Sequence, residues 1–230
     1  MTQRCYFVTD QGSNVKSALT NFHRFPCAYH TIATVLRHTL QLDSLSRILP
    51  MDRNCPVMKF VDAIRTTVFA MKSLVGYLKR SGLNNKLSTT IEQASKTRWN
   101  STLVMLQSFV STEKEVKSII KIHEQEKRLT DIDVCVVADL IHFLKPFQDA
   151  TKALEGELNP TIHQVYLWWS VLKTSMNVEP TDNQLITFIK SRGSYVLLQK
   201  FEMNIWHKLA LFFNPKFKAL VAFIVKKNLK

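Results

Sequence analysis

Hydrophobic positions along this chain repeat at two periods, and the change from one to the other comes early. Cys5-Tyr6-Phe7-Val8-Thr9 is rich in β-branched and aromatic residues and stops at Asp10, which reads as a strand. Gln11-Gly12-Ser13-Asn14 supplies a turn and a helix N-cap. Val15, Ala18, Leu19 and Phe22 then follow at helical spacing. Residues 1–22 therefore predict strand, tight turn and helix: one edge of an α/β unit, with nothing before the strand for it to pair with. A short apolar piece, Phe25-Pro26-Cys27-Ala28-Tyr29, separates it from a helix expected over 30–42. That helix carries Ile32, Val35, Leu36, Thr39 and Leu40 on one face.

Beyond Pro50 and Pro56 the pattern is helical almost everywhere. Helices are expected near 57–80, 99–124, 131–155, 160–177, 182–190, 194–212 and 215–228. In the first of these, Val57, Phe60, Val61, Ile64, Val68, Met71 and Val75 form an amphipathic stripe. Pro146 falls inside a helical pattern and is expected to kink or split it, because proline lacks the backbone N–H and clashes with the preceding turn. Asn159-Pro160 and Glu179-Pro180 are expected to open helices. Trp168 and Trp169 are adjacent on a helix and point about 100° apart, so the pair is expected in the core with one ring able to reach solvent. No repeat of solenoid period is visible. The expected fold class is mostly α: an α/β fragment of strand and helix, then a large all-α region.

Composition narrows the class of partner. The 230 residues hold 31 Lys+Arg against 18 Asp+Glu, a formal charge of +13. That excess favours a polyanion, since each cation placed on a phosphate releases condensed counterions. A basic surface with no dedicated partner is the competing explanation. Cys5, Cys27, Cys55 and Cys135 are widely spaced and form no CxxC, which argues against a disulfide framework. The N-terminal residues show no signal-peptide pattern, and apolar runs such as 209–213 and 220–225 are far short of a membrane span. Neither a nucleotide-binding loop nor a GxSxG, HExxH or kinase signature is present.

Three clusters could carry chemistry. Asp10 ends the predicted strand and precedes a glycine-containing turn, where α/β sheets bind ligands; its carboxylate could hold Mg²⁺ or could simply start an Asx turn. Cys27 and His30 form a CxxH. Zinc needs about four ligands and no second pair stands at finger spacing, so a small buried thiol and a hydrogen-bonding histidine at a helix start fit the spacing better. Thr97-Arg98-Trp99-Asn100-Ser101 sets a guanidinium beside an indole, which suits phosphate and base contacts, or a capped helix start with a packed Trp. Lys114, Lys117 and Lys121 share one helical face, either a phosphate track or a solvated surface.

In order along the chain, several words resemble the hAT family of DNA transposases and the zinc-finger BED-type host proteins derived from it. They are Phe7-Val8-Thr9-Asp10-Gln11-Gly12-Ser13-Asn14, Cys27-Ala28-Tyr29-His30-Thr31 and Thr97-Arg98-Trp99-Asn100-Ser101-Thr102. Phe143-Leu144-Lys145-Pro146-Phe147 with Thr151, then Asn159-Pro160-Thr161-Ile162, and finally 208–218 continue the series. The resemblance implies an RNase H-like core interrupted by a helical insertion, with residues 1–40 part of the core and 41–230 the insertion. It implies that Asp10 is the second acidic residue of a Mg²⁺-dependent DDE triad. It implies that Cys27 and His30 are structural neighbours of the site, and that Arg98 and Trp99 hold a DNA end. DNA is the implied partner and the nucleus the implied compartment, with neither membrane association nor stable zinc expected.

The chain departs from the family pattern in ways that bear on activity. The first acidic residue belongs to an earlier strand and the third, a Glu, to a segment beyond the last matching word. Neither they, the BED finger nor the C-terminal dimerisation segment is recognised here. Asn214 stands where the family usually has Asp, and Gln11 where it often has Asn. The expectation is a chain with DNA-binding potential that does not cut DNA, or hold Mg²⁺ stably, on its own.

Overall fold

A computed structural model of the chain describes residues 6–40, 56–95, 99–156 and 160–217. These residues group into two compact units. The first draws on residues within 1–35, 146–177 and 193–230; the second on 36–145 and 178–192.

The first unit starts with β1 (Tyr6–Thr9), α1 (Ser13–Ala18) and β2 (His23–Pro26). β1 and β2 pair in parallel, with Tyr6 opposite His23 and Thr9 opposite Pro26. β2 is absent from the sequence pattern, which leaves β1 without a partner; in the structure β2 is that partner. Arg24 and Pro26 break the β-rich appearance of the segment, and parallel pairing is non-local, joined through a crossover of about a dozen residues, near the shortest that parallel strands use. Pro26 ends the strand, and the Cys27 N–H carries the ladder one step further by donating to the Thr9 carbonyl at 2.7 Å. α1 is short because Thr20 folds its hydroxyl back onto the Lys16 and Ser17 carbonyls at its C-terminal end.

α2 (Ala28–Leu40) begins two residues earlier than expected, with the Cys27 carbonyl accepting both the Thr31 N–H and its hydroxyl. Ile32, Val35, Leu36, Thr39 and Leu40 are all buried, as their spacing requires. Gln41 and Leu42, the expected end of this helix, lie outside the described residues.

The second unit is helical. Of the expected stripe, α3 (Pro56–Arg80) buries Val61, Ile64, Val68, Met71 and Val75, and it extends through Leu74 and Leu78; the Val57 side chain lies outside the described residues. Phe60 stacks on Phe188 instead, with ring centroids 5.6 Å apart. α4 (Trp99–Ile122) buries Leu103, Met105, Leu106, Phe109, Val116 and Ile120. It ends in a tight reversal at Glu124 (φ 54°), where the Gln125 N–H reaches back to the Ile120 carbonyl. A 3₁₀ turn, Glu126–Arg128, follows.

α5 (Val134–Leu154) starts where Asp133 caps the Cys135 and Val136 amides through Oδ1. Pro146 does not split it: the helix is continuous through the proline, and the division between the two units falls at that residue. α6 (Ile162–Ser175) opens just after Pro160, as expected, while Asn159 lies outside the described residues.

The next two helices differ from expectation. α7 (Gln184–Lys200) runs straight through Ser191-Arg192-Gly193, and α8 (Ile205–Phe213) follows. Gly193 is itself buried, between Ile189 and the pair Val196–Leu197, so the buried stripe continues across it. The helix-weakening glycine is tolerated because it fills a packed position, at a cost of roughly 1 kcal/mol relative to Ala. Glu179-Pro180 is not a helix start. It forms a turn in which Asp182 accepts the Glu179 N–H, and α7 is capped by Asn183, whose Oδ1 accepts the Ile186 N–H. Of the helix expected over 215–228, a 3₁₀ turn, Pro215–Phe217, is described. Among the described residues no helix is long and apolar enough to cross a membrane.

Candidate nucleic-acid interface

Asp10 lies just past the carboxyl end of β1, and Cys27 just past that of β2, so the two follow the same edge of the parallel pair. Asp10 Oδ1 accepts the Gly12 N–H at 3.1 Å. This is an Asx turn, in which a short side chain mimics a backbone carbonyl and starts the following helix. A Cβ added at Gly12 would stand 3.1 Å from the same oxygen, so the close approach uses the absence of a side chain there. Arg24 reaches across from β2 and donates to the Asp10 carbonyl at 3.1 Å and to Thr9 Oγ1 at 3.3 Å.

Mg²⁺ takes oxygen ligands; this corner offers one carboxylate, one oxygen of which accepts an amide, beside the Arg24 guanidinium. Among the described residues, no three His, Cys, Asp or Glu side chains converge on a point that could hold a metal. Cys27 is half-buried; His30 is exposed, its ring edge-on to Tyr29 at 5.3 Å. Asp10 and Cys27 thus follow the ends of the two paired strands, while His30 lies in the first turn of α2.

Trp99 belongs to the second unit. It is half-buried and opens α4; Thr97 and Arg98 lie outside the described residues. Between Asn84 and Ser95 the chain is held by hydrogen bonds. Buried Asn84 donates to the Ile91 carbonyl (3.3 Å) and accepts its N–H (3.1 Å). Ser101 Oγ accepts the Ser95 N–H at 2.8 Å. Glu115 accepts the Ser88 hydroxyl and amide, and those two bonds, the hydroxyl's the stronger, hold its carboxyl below the usual carboxylate range. Lys114, Lys117 and Lys121 line one exposed face of α4, as their spacing predicts, and Lys117 pairs with Glu113 at 2.6 Å.

In the first unit, α6 and α8 interleave aromatic and basic side chains. Lys173 lies 5.2 Å over the Trp169 ring and Lys208 5.9 Å over that of Tyr166. Trp168 and Trp169 are both half-buried, so neither ring is wholly in the core.

The sequence reading overlooked a groove of about 910 Å³ on the second unit. Asp62, Arg65, Phe69 and Lys72 of α3 form one wall; Lys127, Arg128 and Asp131 face them. Phe69 is 75% exposed. Its signal was present in the chain: an aromatic residue off the Val61-Ile64-Val68-Met71 stripe, with Arg65 four residues before it and Lys72 three after.

No family model matches the chain. Among curated proteins, it is similar to the transposable element Hobo transposase of Drosophila melanogaster, with 28% identity over 214 residues. The match covers 91% of this chain and 30% of that protein, so the chain spans under a third of its relative's length. The likeness supports a relationship to hAT-like transposases.

Proposed function

We propose that this chain is a DNA-holding portion of a hAT-like transposase, active in the nucleus, that does not cut DNA alone. In this reading residues 1–40 derive from an RNase H-like core and residues 41–230 from its helical insertion. The likeness to Hobo transposase across most of the chain carries the proposal. The charge of +13 supports a polyanionic partner. Trp99, at the start of α4, is the residue we assign to the DNA end, together with Arg98. The assignment of no independent cutting is supported by Asp10, whose carboxylate closes an Asx turn beside Arg24.

Binding of the purified chain to a hairpin-ended duplex, followed by fluorescence anisotropy, tests the reading. Affinity is expected to fall steeply with added salt and to weaken on Trp99→Ala. Mg²⁺-dependent nicking of that duplex by the chain, lost on Asp10→Ala, would overturn the non-cutting assignment. A second reading, a host-adopted BED-type relative that uses the helices to bind protein or DNA, is favoured if binding ignores the structure of the DNA end.

A further inference from the structure

We infer that the groove between α3 and the Glu126–Arg128 turn is a binding site for single-stranded nucleic acid, with Phe69 as the platform on which an unpaired base stacks. The inference rests on the DNA-holding reading above but places the contact away from Trp99.

An amphipathic helix such as α3 buries one face and presents polar residues on the other. Its buried stripe is Val61, Ile64, Val68, Met71 and Val75, and the opposite face should be polar. Phe69 breaks that rule in the open, inside a concavity rather than on a flat surface. Arg65 and Lys72 flank it one helical turn away on either side, and Lys127 faces them from the turn. Among the described residues, Arg65, Lys72 and Lys127 form no ion pair, so their charge is directed at solvent. Arg128 is different. Its guanidinium lies 4.2 Å over the Tyr77 ring, and its Nε donates to Gln125 Oε1 at 3.0 Å, which fixes the second wall. Asp62 and Asp131 also line the groove, leaving four cations against two anions.

Shape selects among polyanions. A volume near 910 Å³ lies within the range of small-ligand sites, roughly 300–1,000 Å³. It takes a base or two with their sugars. In a duplex the bases are already stacked and cannot present a face to Phe69. An exposed ring between cations matches the pattern by which proteins hold unpaired strands: stacking on an aromatic, with phosphates on flanking Lys and Arg.

The test compares a labelled oligothymidine, an abasic strand of equal length and a duplex, each titrated with the full chain in low salt. Phe69→Ala is expected to weaken oligothymidine binding roughly five- to a hundredfold and to leave duplex binding unchanged. Phe69→Trp should restore it. Lys127→Gln should flatten the dependence of log affinity on log salt by roughly 0.7 for the single strand. Because Phe69 faces solvent, unchanged melting of the variants controls for folding. Oligothymidine affinity unaffected by Phe69→Ala, or equal affinity for the abasic strand, would overturn the site while leaving DNA holding intact. Absence of binding to every one of the three nucleic acids would overturn both.

Discussion

The Asp10 carboxylate and the Gly12 amide are joined at 3.1 Å, and that bond closes an Asx turn ahead of α1. Asp10→Asn keeps an acceptor oxygen at the same position and is expected to melt like the parent, while Asp10→Ser, whose oxygen is one bond shorter, should bond more weakly. Asp10→Ala removes the acceptor and should cost roughly 0.5–1 kcal/mol, the usual worth of an exposed turn bond. Because Arg24 crowds the same corner, millimolar Mg²⁺ should leave the melting temperature of the parent unchanged. A Mg²⁺-induced rise that disappears in Asp10→Asn would show the carboxylate to be a metal ligand after all.

His207 gives the fold a dependence on pH. It is buried in α8, and its Nδ1 accepts the Asn204 N–H at 3.1 Å, while Asn204 Oδ1 accepts the Trp206 N–H. Burial pushes the imidazole pKa below its ordinary value of 6.5. The unfolded chain then takes up a proton that the folded chain refuses, so stability is full above about pH 6.5 and falls as pH drops toward the lower folded value. Protonated Nδ1 also loses its ability to accept the cap bond. Asp182, held down by the Glu179 amide first and by Lys190 second, and Glu115, held by Ser88, act in a lower window, below their ordinary carboxylate values. Chemical denaturation at several pH values should therefore show a loss beginning near 6.5, and His207→Gln, which still caps, should remove that first step.

The helices were legible because burial imposes a period on the sequence. The Ile32-Val35-Leu36 face and the Val61-to-Val75 stripe are buried where their spacing requires. β2 was illegible because its partner lies across a crossover and because Arg24 and Pro26 mask its strand character. The break expected between 190 and 194 is absent because the buried stripe, from Ile189 to Val196 and Leu197, continues across Gly193. Asp10 and Trp99 stand out in the sequence by their place in ordered motifs. Phe69 was missed because it belongs to none; it shows itself as a ring on the wrong face of a helix, between two cations.

Asn84 organises the chain around Ile91. Its side-chain amide gives and takes one hydrogen bond with the Ile91 backbone, and both residues are buried. Asn84→Leu has a similar volume but leaves the Ile91 N–H and carbonyl unpaired away from water. The expected loss is roughly 2–4 kcal/mol. Hydrogen exchange at the Ile91 amide should rise well before global unfolding. A variant that melts within about a degree of the parent would mean that the chain around Ile91 draws its order from elsewhere.

Glu124 sits at the left-handed position that closes α4, with φ of 54°, where most helices place glycine. A side chain there crowds its own backbone, at a cost of roughly 1 kcal/mol. The reversal is nonetheless needed, since the Gln125 N–H reaches the Ile120 carbonyl only through it, and the turn carrying Lys127 and Arg128 follows directly. Glu124→Gly should therefore raise stability by roughly 0.5–1 kcal/mol in chemical denaturation, relief of strain being partly offset by the freer unfolded chain. Glu124→Val, β-branched, should lower it. The two variants also separate geometry from charge at the neighbouring groove, because both remove the same carboxylate. If Glu124→Gly sharpens single-strand binding and Glu124→Val weakens it, the conformation of the reversal, rather than the lost negative charge, sets the position of Lys127 opposite Phe69.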